Sequence, residues 1–439
     1  MKSINTSKSQ KLWEKAKILI PGGTGLLSKR PEMFLPGQWP VYFTCAKGIE
    51  IIDIDGNTFL DFSIMSVGAT TLGYNDPDVN RAVKNAIDKG STATLNVPED
   101  IELAELLLTL HPWAGMARFT RSGGEAVAVA IRISRAFTKK DTIAFCGYHG
   151  WNDWYLAANL ADKKNLDGQL LLGLEPVGVP RSLRGSALPF RYNHIEELET
   201  IVKKHDIGTI IMEPIRHQEP QNDFLKKVRI IADKMNAVLI FDEISSGWRL
   251  TLGGAHLFYG VNPDMAVFGK AMSNGFPMAA VIGKKGVMDA AQKSFISSTA
   301  WTERVGPVAS LATIKKMRAK NVHKHLDMIG NLIGTGWKML AKKHQLAISI
   351  IGPNPLITFS FNYANAQELK TLFTQEMLKR GFLAGLTVYV SYAHKEKYVR
   401  LYLTRVDEVF GIITKAINAH TISELLEGPV AHSGFTRLT

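Results

Sequence analysis

Apolar and polar positions change their rhythm along this chain, and each rhythm predicts an element. Leu12, Ala16 and Leu19 fall on one face of a helix over 9–20, which Pro21-Gly22-Gly23 stops. The run 48–57 reads as a strand entering a tight turn, with 59–62 as the returning strand. Between roughly residues 75 and 320, helical patterns alternate with short apolar runs. Residues 78–89 and 100–110 read as amphipathic helices, and 142–145, 209–212, 238–241 and 265–268 as strands. Continuous apolar runs of that length suit buried strands of a mostly parallel sheet, with 223–236 as a crossover helix. The C-terminal part predicts a helix over 329–343, a strand near 357–361 and a last helix after residue 407. The pattern therefore predicts an α/β protein. Its large lobe over 66–320 carries the parallel sheet, and a small α+β lobe is built from 1–65 and 321–439.

Composition narrows this only slightly. Hydrophobic residues make up 46% and charged residues 21% of 439, an ordinary globular balance that argues against extensive disorder. No apolar stretch approaches the roughly 18 residues of a membrane helix. The lysine-rich N-terminus leads into no apolar signal core. Cys45 and Cys146 offer neither a disulfide framework nor metal-ligand spacing, so no metal is expected and a reducing cytoplasm is the expected home. The net charge of +12 raises nucleic acid as a partner, but the basic residues are scattered among acids. Their densest stretch, 315–324, reads as the solvated face of a helix. An anionic small-molecule substrate accounts for a basic surface equally well.

Ligands collect at the carboxyl ends of strands in open α/β sheets, so the residues that end the apolar runs carry the chemistry. Phe241 is followed by Asp242-Glu243, Met212 by Glu213-Pro214, and Phe268 by Gly269-Lys270. Taken singly, Asp242 reads as a helix cap and Lys270 as a surface lysine. Together they place two acids and a lysine around one crevice. Pyridoxal phosphate needs a lysine amine for its aldehyde, an acid for its pyridine nitrogen and a cradle for its phosphate. Arg121-Ser122-Gly123-Gly124-Glu125-Ala126, opening a helical stretch over 127–137, offers that cradle. No Gly-x-Gly-x-x-Gly follows an early strand, which disfavours a dinucleotide-binding dehydrogenase.

Ser122-Gly123-Gly124-Glu125-Ala126 with Ala130-Ile131-Arg132, then Tyr148-His149-Gly150, Glu213-Pro214, Phe241-Asp242-Glu243-Ile244, Gly247-Trp248-Arg249 and Gly269-Lys270 resemble class III aminotransferases in order and spacing. The nearest likeness is to the glutamate-1-semialdehyde aminomutase branch, through Pro21-Gly22-Gly23, Asp53-Ile54-Asp55-Gly56 and Leu72-Gly73-Tyr74. The resemblance implies a fold-type I pyridoxal-phosphate transferase with Lys270 as the Schiff-base lysine and proton shuttle. It implies Asp242 on the pyridine nitrogen, Tyr148 stacked on the ring with His149 beside it, and Ser122, Gly123 and Gly124 around the phosphate. Glu213 would lie at the phenolic edge, with Ile244 lining the cofactor. Thr299, in Ser297-Ser298-Thr299-Ala300-Trp301, matches a threonine that reaches the phosphate site of the partner subunit, so a homodimer is the implied active unit.

Three departures bear on the reaction. The family's Ser-Gly-Thr turn is Ser122-Gly123-Gly124 here, one hydroxyl short. The aminomutase's Gly-Asn-Pro segment is replaced by Trp301-Thr302-Glu303-Arg304-Val305-Gly306-Pro307, and Glu213-Pro214 is followed by a charged loop, Ile215-Arg216-His217-Gln218-Glu219-Pro220. An aminomutase must retain its intermediate behind a controlled lid. Altered lid segments therefore favour transamination between an amino donor and a carbonyl acceptor, with intramolecular aminomutation as the alternative. Lys29, Arg30, Arg216 and Arg304 are the candidate carboxylate or phosphate binders. Arg249 is expected to be structural. Trp39, Trp151, Trp154 and Trp301 either line a pocket for a flat-faced substrate or simply pack.

Overall fold

The apolar runs pair as strands. In chain order these are β1 (Phe43–Lys47), β2 (Glu50–Asp53), β3 (Thr58–Phe62), β4 (Met116–Thr120), β5 (Thr142–Cys146), β6 (Ala187–Pro189), β7 (Ile207–Met212), β8 (Val238–Asp242), β9 (Met265–Phe268), β10 (Ala279–Gly283), β11 (Ile348–Ile351), β12 (Leu356–Phe361), β13 (Phe382–Ala384) and β14 (Thr387–Tyr389). The structure is a computed structural model that describes residues 4–169 and 172–434. The chain divides into two units, one Pro77–Lys324 and the other Met1–Asp76 with His325–Thr439.

In the first unit seven strands form one sheet in the order β4-β10-β9-β8-β7-β5-β6. β6, β5, β7, β8 and β9 run parallel to one another. β10 is antiparallel to both β9 and β4, so β4 points the same way as the parallel set. Every residue of β7, β8 and β9 is buried, because helices cover both faces of the sheet. Alternation sorts the side chains. Ile211, Ile240 and Val267 join Ala126, Ala130 and Ile133 of helix Gly123–Thr138 in one core cluster. Ile210, Leu239 and Phe241 join Leu225 and Val228 of helix Phe224–Lys234 in the other.

In the second unit β1-β2-β3-β13 form one sheet and β11-β12-β14 another. β13, from the C-terminal segment, pairs in parallel with β3 from the N-terminal segment, so both chain ends build this unit. Phe59 and Leu383 from those two strands pack with Leu35, Trp39 and Leu378.

Helices Ser7–Leu19, Pro77–Asp88, Glu99–Leu110 and Phe224–Lys234 lie where periodicity predicts them. The pattern is silent on β4 and β1, because the first is half-buried along most of its length and the second largely exposed. It is silent on β6, β13 and β14, which have three residues each, on the four-residue β11, and on β10, although every residue of β10 is buried. The last long helix spans Glu396–Ala419 and begins well before residue 407. The basic stretch 315–324 is split: one helix ends at Ala319, Asn321 adopts φ of 47°, and the next helix starts at Val322. Among the described residues no helix is long and apolar enough to cross a membrane.

Just past β8 the sheet buries a carboxylate. Glu243 is fully buried and takes four hydrogen bonds. His256 donates from Nδ1 at 2.8 Å and from its backbone N at 2.9 Å, Ser246 Oγ donates at 2.6 Å, and Ala255 N at 2.9 Å. Trp113 Nε1 donates to His256 Nε2 at 3.0 Å, which assigns the ring proton to Nδ1. Burial raises the Glu243 pKa, but the His256 contacts outweigh it and hold the carboxyl below its usual range. Nearby, His111 Nε2 accepts from Gly254 N at 3.0 Å, and burial lowers its pKa to about 4, so the ring stays neutral. These bonds close the loop 243–256 into one shape. His256→Ala strands a buried charge and is expected to cost about 3–5 kcal/mol of unfolding free energy, measured by chemical denaturation; a loss under about 1 kcal/mol would show that Glu243 finds other partners.

Candidate active site

Helix Gly123–Thr138 starts two residues beyond β4, and its first turn is prepared for an anion. Ser122 is the N-cap in extended conformation, and its hydroxyl accepts from Glu125 N at 3.4 Å. The Glu125 carboxylate reaches back to Ser122 N at 2.8 Å and Arg121 N at 3.0 Å. The N–H groups of Gly123 and Gly124 lie in the first turn, where no intrahelical acceptor is available. A Cβ on Gly123 would come within 2.8 Å of Ile244 Cδ1, and one on Gly124 within 3.0 Å of Trp151 Nε1. Ile244 and Trp151 thus lie close against the turn.

β5, β7, β8 and β9 each deliver a functional group at the carboxyl end. Asp242 is the last residue of β8. Its Oδ2 lies 2.8 Å from His149 Nδ1, and its Oδ1 accepts from Ile244 N at 3.1 Å. His149 Nε2 faces the Cys146 carbonyl at 3.2 Å, and its ring stacks near Trp154 at 6.2 Å between centroids. Glu213 follows β7 and accepts from Tyr148 N at 3.1 Å. Gly147 has φ of 111°, and a Cβ there would sit 2.8 Å from Glu213 Oε2, so only glycine admits this contact. Arg216 Nη1 lies 3.2 Å from each Glu213 oxygen, and its guanidinium carbon stands 5.9 Å from the Tyr148 ring centroid. Burial raises the Glu213 pKa, yet Arg216 and His149 outweigh it and keep the carboxyl below its usual range.

Lys270 follows Gly269 just past β9 and takes φ of 42°, a left-handed conformation uncommon outside glycine. Its Nζ donates to Ser245 Oγ at 2.8 Å. Desolvation, then the charge of Arg216, then that of Arg249 lower its pKa from 10.5 to about 8, with Glu213 and Asp242 pulling the other way.

Thus Ser122, Gly123, Gly124 and Ile244 form one cluster, while Tyr148, His149, Glu213, Arg216, Asp242 and Lys270 are linked by bonds or close charges. The other candidates have contacts of their own. Arg30 belongs to the other unit, where it covers Gly22. Arg304 pairs with Glu99 at 3.2 Å, and Arg249 is buried with Nε donating to the Ser245 carbonyl at 2.7 Å. Trp39, also in the other unit, stacks on Phe34. Thr299 is exposed on the short 3-10 turn Thr299–Thr302, and among the described residues no hydrogen bond joins its side chain to the cluster. Trp301 and Trp151 line a groove of about 320 Å³ with Glu125, Arg132 and Phe295. No group of three or more metal-binding side chains gathers among the described residues.

Sequence reasoning missed Ser245 and the Glu243–His256 pair. Ser245 lies three residues beyond Asp242 in the same strand-end turn, and that proximity was the available signal.

The sheet order and the helices that cover both of its faces are those of a fold-type I pyridoxal-phosphate transferase. The chain belongs to the class-III aminotransferases: that family's model matches residues 36–417. It is 33% identical over 389 residues to a 3-aminobutyryl-CoA aminotransferase of Cloacimonas acidaminovorans, covering 86% of this chain and 89% of that one. It is 32% identical over 422 residues to a glutamate-1-semialdehyde 2,1-aminomutase of Thermodesulfovibrio yellowstonii, covering 90% and 96%. The FumI protein of Sphingopyxis sp. MTA144 shares the fold with a TM-score of 0.85 at 24% identity, over 94% of this chain and 98% of that one. An omega-transaminase from Sphaerobacter thermophilus does so at 0.81 and 24%, over 93% and 98%.

The charges around Lys270 make a prediction about its amine. In cofactor-free protein its reductive methylation should follow a titration midpoint of about 8. Arg216→Gln should move that midpoint upward, because a neighbouring cation disfavours the ammonium form. An unchanged or lower midpoint would remove Arg216 from the field at Lys270.

Proposed function

We propose that this chain moves an amino group from a donor to a keto or aldehyde acceptor by a ping-pong route, with Lys270 as the Schiff-base lysine and proton carrier. The observation that supports it best is the Lys270 amine itself, lowered in pKa at a strand end and flanked by the Asp242–His149 and Glu213–Arg216 pairs.

The residues fit pyridoxal phosphate. The N–H groups of Gly123 and Gly124 would hold its phosphate, with Ser122 as their cap and Ile244 behind them. Lys270 would hold its aldehyde, Tyr148 its ring face and Asp242 its pyridine nitrogen. When bound, the cofactor supplies an electron sink for the charge left on the substrate carbon. Asp242 would keep the pyridine nitrogen protonated, and His149 orients that carboxylate by donating to its Oδ2. Lys270 Nζ, with its lowered pKa, takes the proton from the donor's amine-bearing carbon and returns it later. The donor would leave as a carbonyl compound whose oxygen comes from water, and the acceptor carbonyl would release its oxygen as water on taking up the amine. Arg216 offers a guanidinium for a substrate carboxylate, in exchange with Glu213.

Intramolecular aminomutation is the second reading, supported by the relative of that name at 32% identity. Transamination is favoured because the two segments that depart from the aminomutase pattern have their own structural bonds. Glu219 in the first accepts from Tyr259 Oη at 2.6 Å. Glu303 pairs with Arg121 at 2.8 Å and accepts from Gly306 N at 2.8 Å.

The active unit is a homodimer in which Thr299 reaches the partner's phosphate site. Phe295 and Trp151, 87% and 70% exposed near Thr299, supply apolar surface for association. Purified protein should show a visible cofactor band that one amino donor bleaches with release of a carbonyl product, and Lys270→Ala should lose the borohydride-reducible band. A band silent to every donor while amino-aldehydes are isomerised would favour aminomutation, and a retained reducible band in Lys270→Ala would refute the lysine assignment. Thr299→Ala should raise the cofactor dissociation constant about tenfold, the value of one lost hydrogen bond to a charged group, with the dimer mass unchanged in sedimentation. A monomeric wild type would refute the shared site.

A further inference from the structure

The Lys270 amine has a specific partner. Its Nζ donates to Ser245 Oγ at 2.8 Å, and Ser245 is held in place from several sides. The residue is 6% exposed. Its carbonyl accepts from the buried Arg249 Nε at 2.7 Å. Two residues back, Glu243 ties the start of the same turn to Ser246, Ala255 and His256. The hydroxyl therefore sits on a rigid loop, while Lys270 reaches it on a flexible four-carbon stem.

We infer that Ser245 is a positioning residue for Lys270: its hydroxyl oxygen holds one N–H of the lysine amine whenever that amine is free, and so directs the nitrogen lone pair toward the substrate carbon. This rests on Lys270 being the proton carrier. A neutral primary amine has two N–H bonds and one lone pair. Once one N–H is held by Ser245, rotation about the last carbon–nitrogen bond is restricted and the lone pair is aimed. When Nζ takes the substrate proton, the electron pair of the broken C–H bond stays on carbon. The resulting ammonium still has an N–H for Ser245, so the contact survives both protonation states. It breaks only when Nζ gives up its hydrogens in bonding to the cofactor aldehyde. The charged groups acting on Nζ are Arg216, Arg249, Glu213 and Asp242. None of them is removed in the variants below.

Ser245→Ala, Ser245→Cys and Ser245→Thr in the full chain separate aiming from packing. Ala and Cys lack a good acceptor at that position, whereas Thr keeps one. Ala and Cys are expected to lower kcat about 10- to 30-fold with KM within about twofold, and Thr to stay within about threefold of wild type. A second readout needs no cofactor. The pH midpoint for reductive methylation of Lys270, followed by peptide mass spectrometry, should fall by about half a unit or more in Ala and Cys and hold in Thr, because the lost acceptor stabilises the ammonium form most. Wild-type kcat and an unmoved midpoint in Ser245→Ala overturn the inference. If that variant fails to unfold cooperatively, Cys and Thr decide, and equal behaviour of those two overturns it. If the wild type transaminates nothing, the function proposed above falls, and the Lys270 midpoint alone decides the Ser245 contact.

Discussion

Backbone hydrogen bonds hold β5, β7, β8 and β9 in parallel register, pairing Cys146 with Met212, Met212 with Phe241 and Asp242 with Val267. That register places Tyr148 and His149, Glu213, Asp242 and Lys270 beyond one edge of the sheet. Side chains alternate along a strand, so a slip of one residue in β8 would exchange the two faces and turn Asp242 away from His149. The buried runs of β7, β8 and β9 oppose such a slip, since each face packs against its own layer of helices. The chemistry at the edge depends on apolar packing that takes no part in it.

At that edge each charged group is matched before any ligand is added. Arg216 faces Glu213, His149 faces Asp242, His256 faces Glu243, and Lys270 bonds to the neutral hydroxyl of Ser245. Among the described residues no carboxylate bonds directly to the lysine amine. A salt bridge would hold it as an ammonium ion, whereas desolvation beside two arginines lets it lose its proton near neutral pH. A neutral amine is what both bonding to an aldehyde and taking up a proton require.

The departures from the aminomutase pattern also gain a physical meaning. Glu303 accepts from Val305 and Gly306 at the start of helix Val305–Ala319 and pairs with Arg121, the residue before the Ser122 cap. Arg304 joins Glu99 of helix Glu99–Leu110. This segment thus ties the turn before helix Gly123–Thr138 to helices Val305–Ala319 and Glu99–Leu110.

Sequence alone determined the alternating α/β order, the buried strands β5, β7, β8 and β9, and the strand-end residues Glu213, Asp242 and Lys270. Those are legible because a buried strand is continuously apolar and the first polar residue after it marks the sheet edge. The pattern could not reveal β1, β4, β6, β11, β13 and β14, which are exposed, half-buried or too short to show a period, nor β10, a buried run of small residues around Val281 and Ile282. Nor could spacing show that Arg216 turns back to Glu213, that Arg304 serves Glu99, or that Ser245 meets Lys270 across 25 residues. Which acceptor a long side chain reaches depends on loop shape, and loop shape here follows from bonds to Glu243 and His149 that only the assembled sheet brings within range.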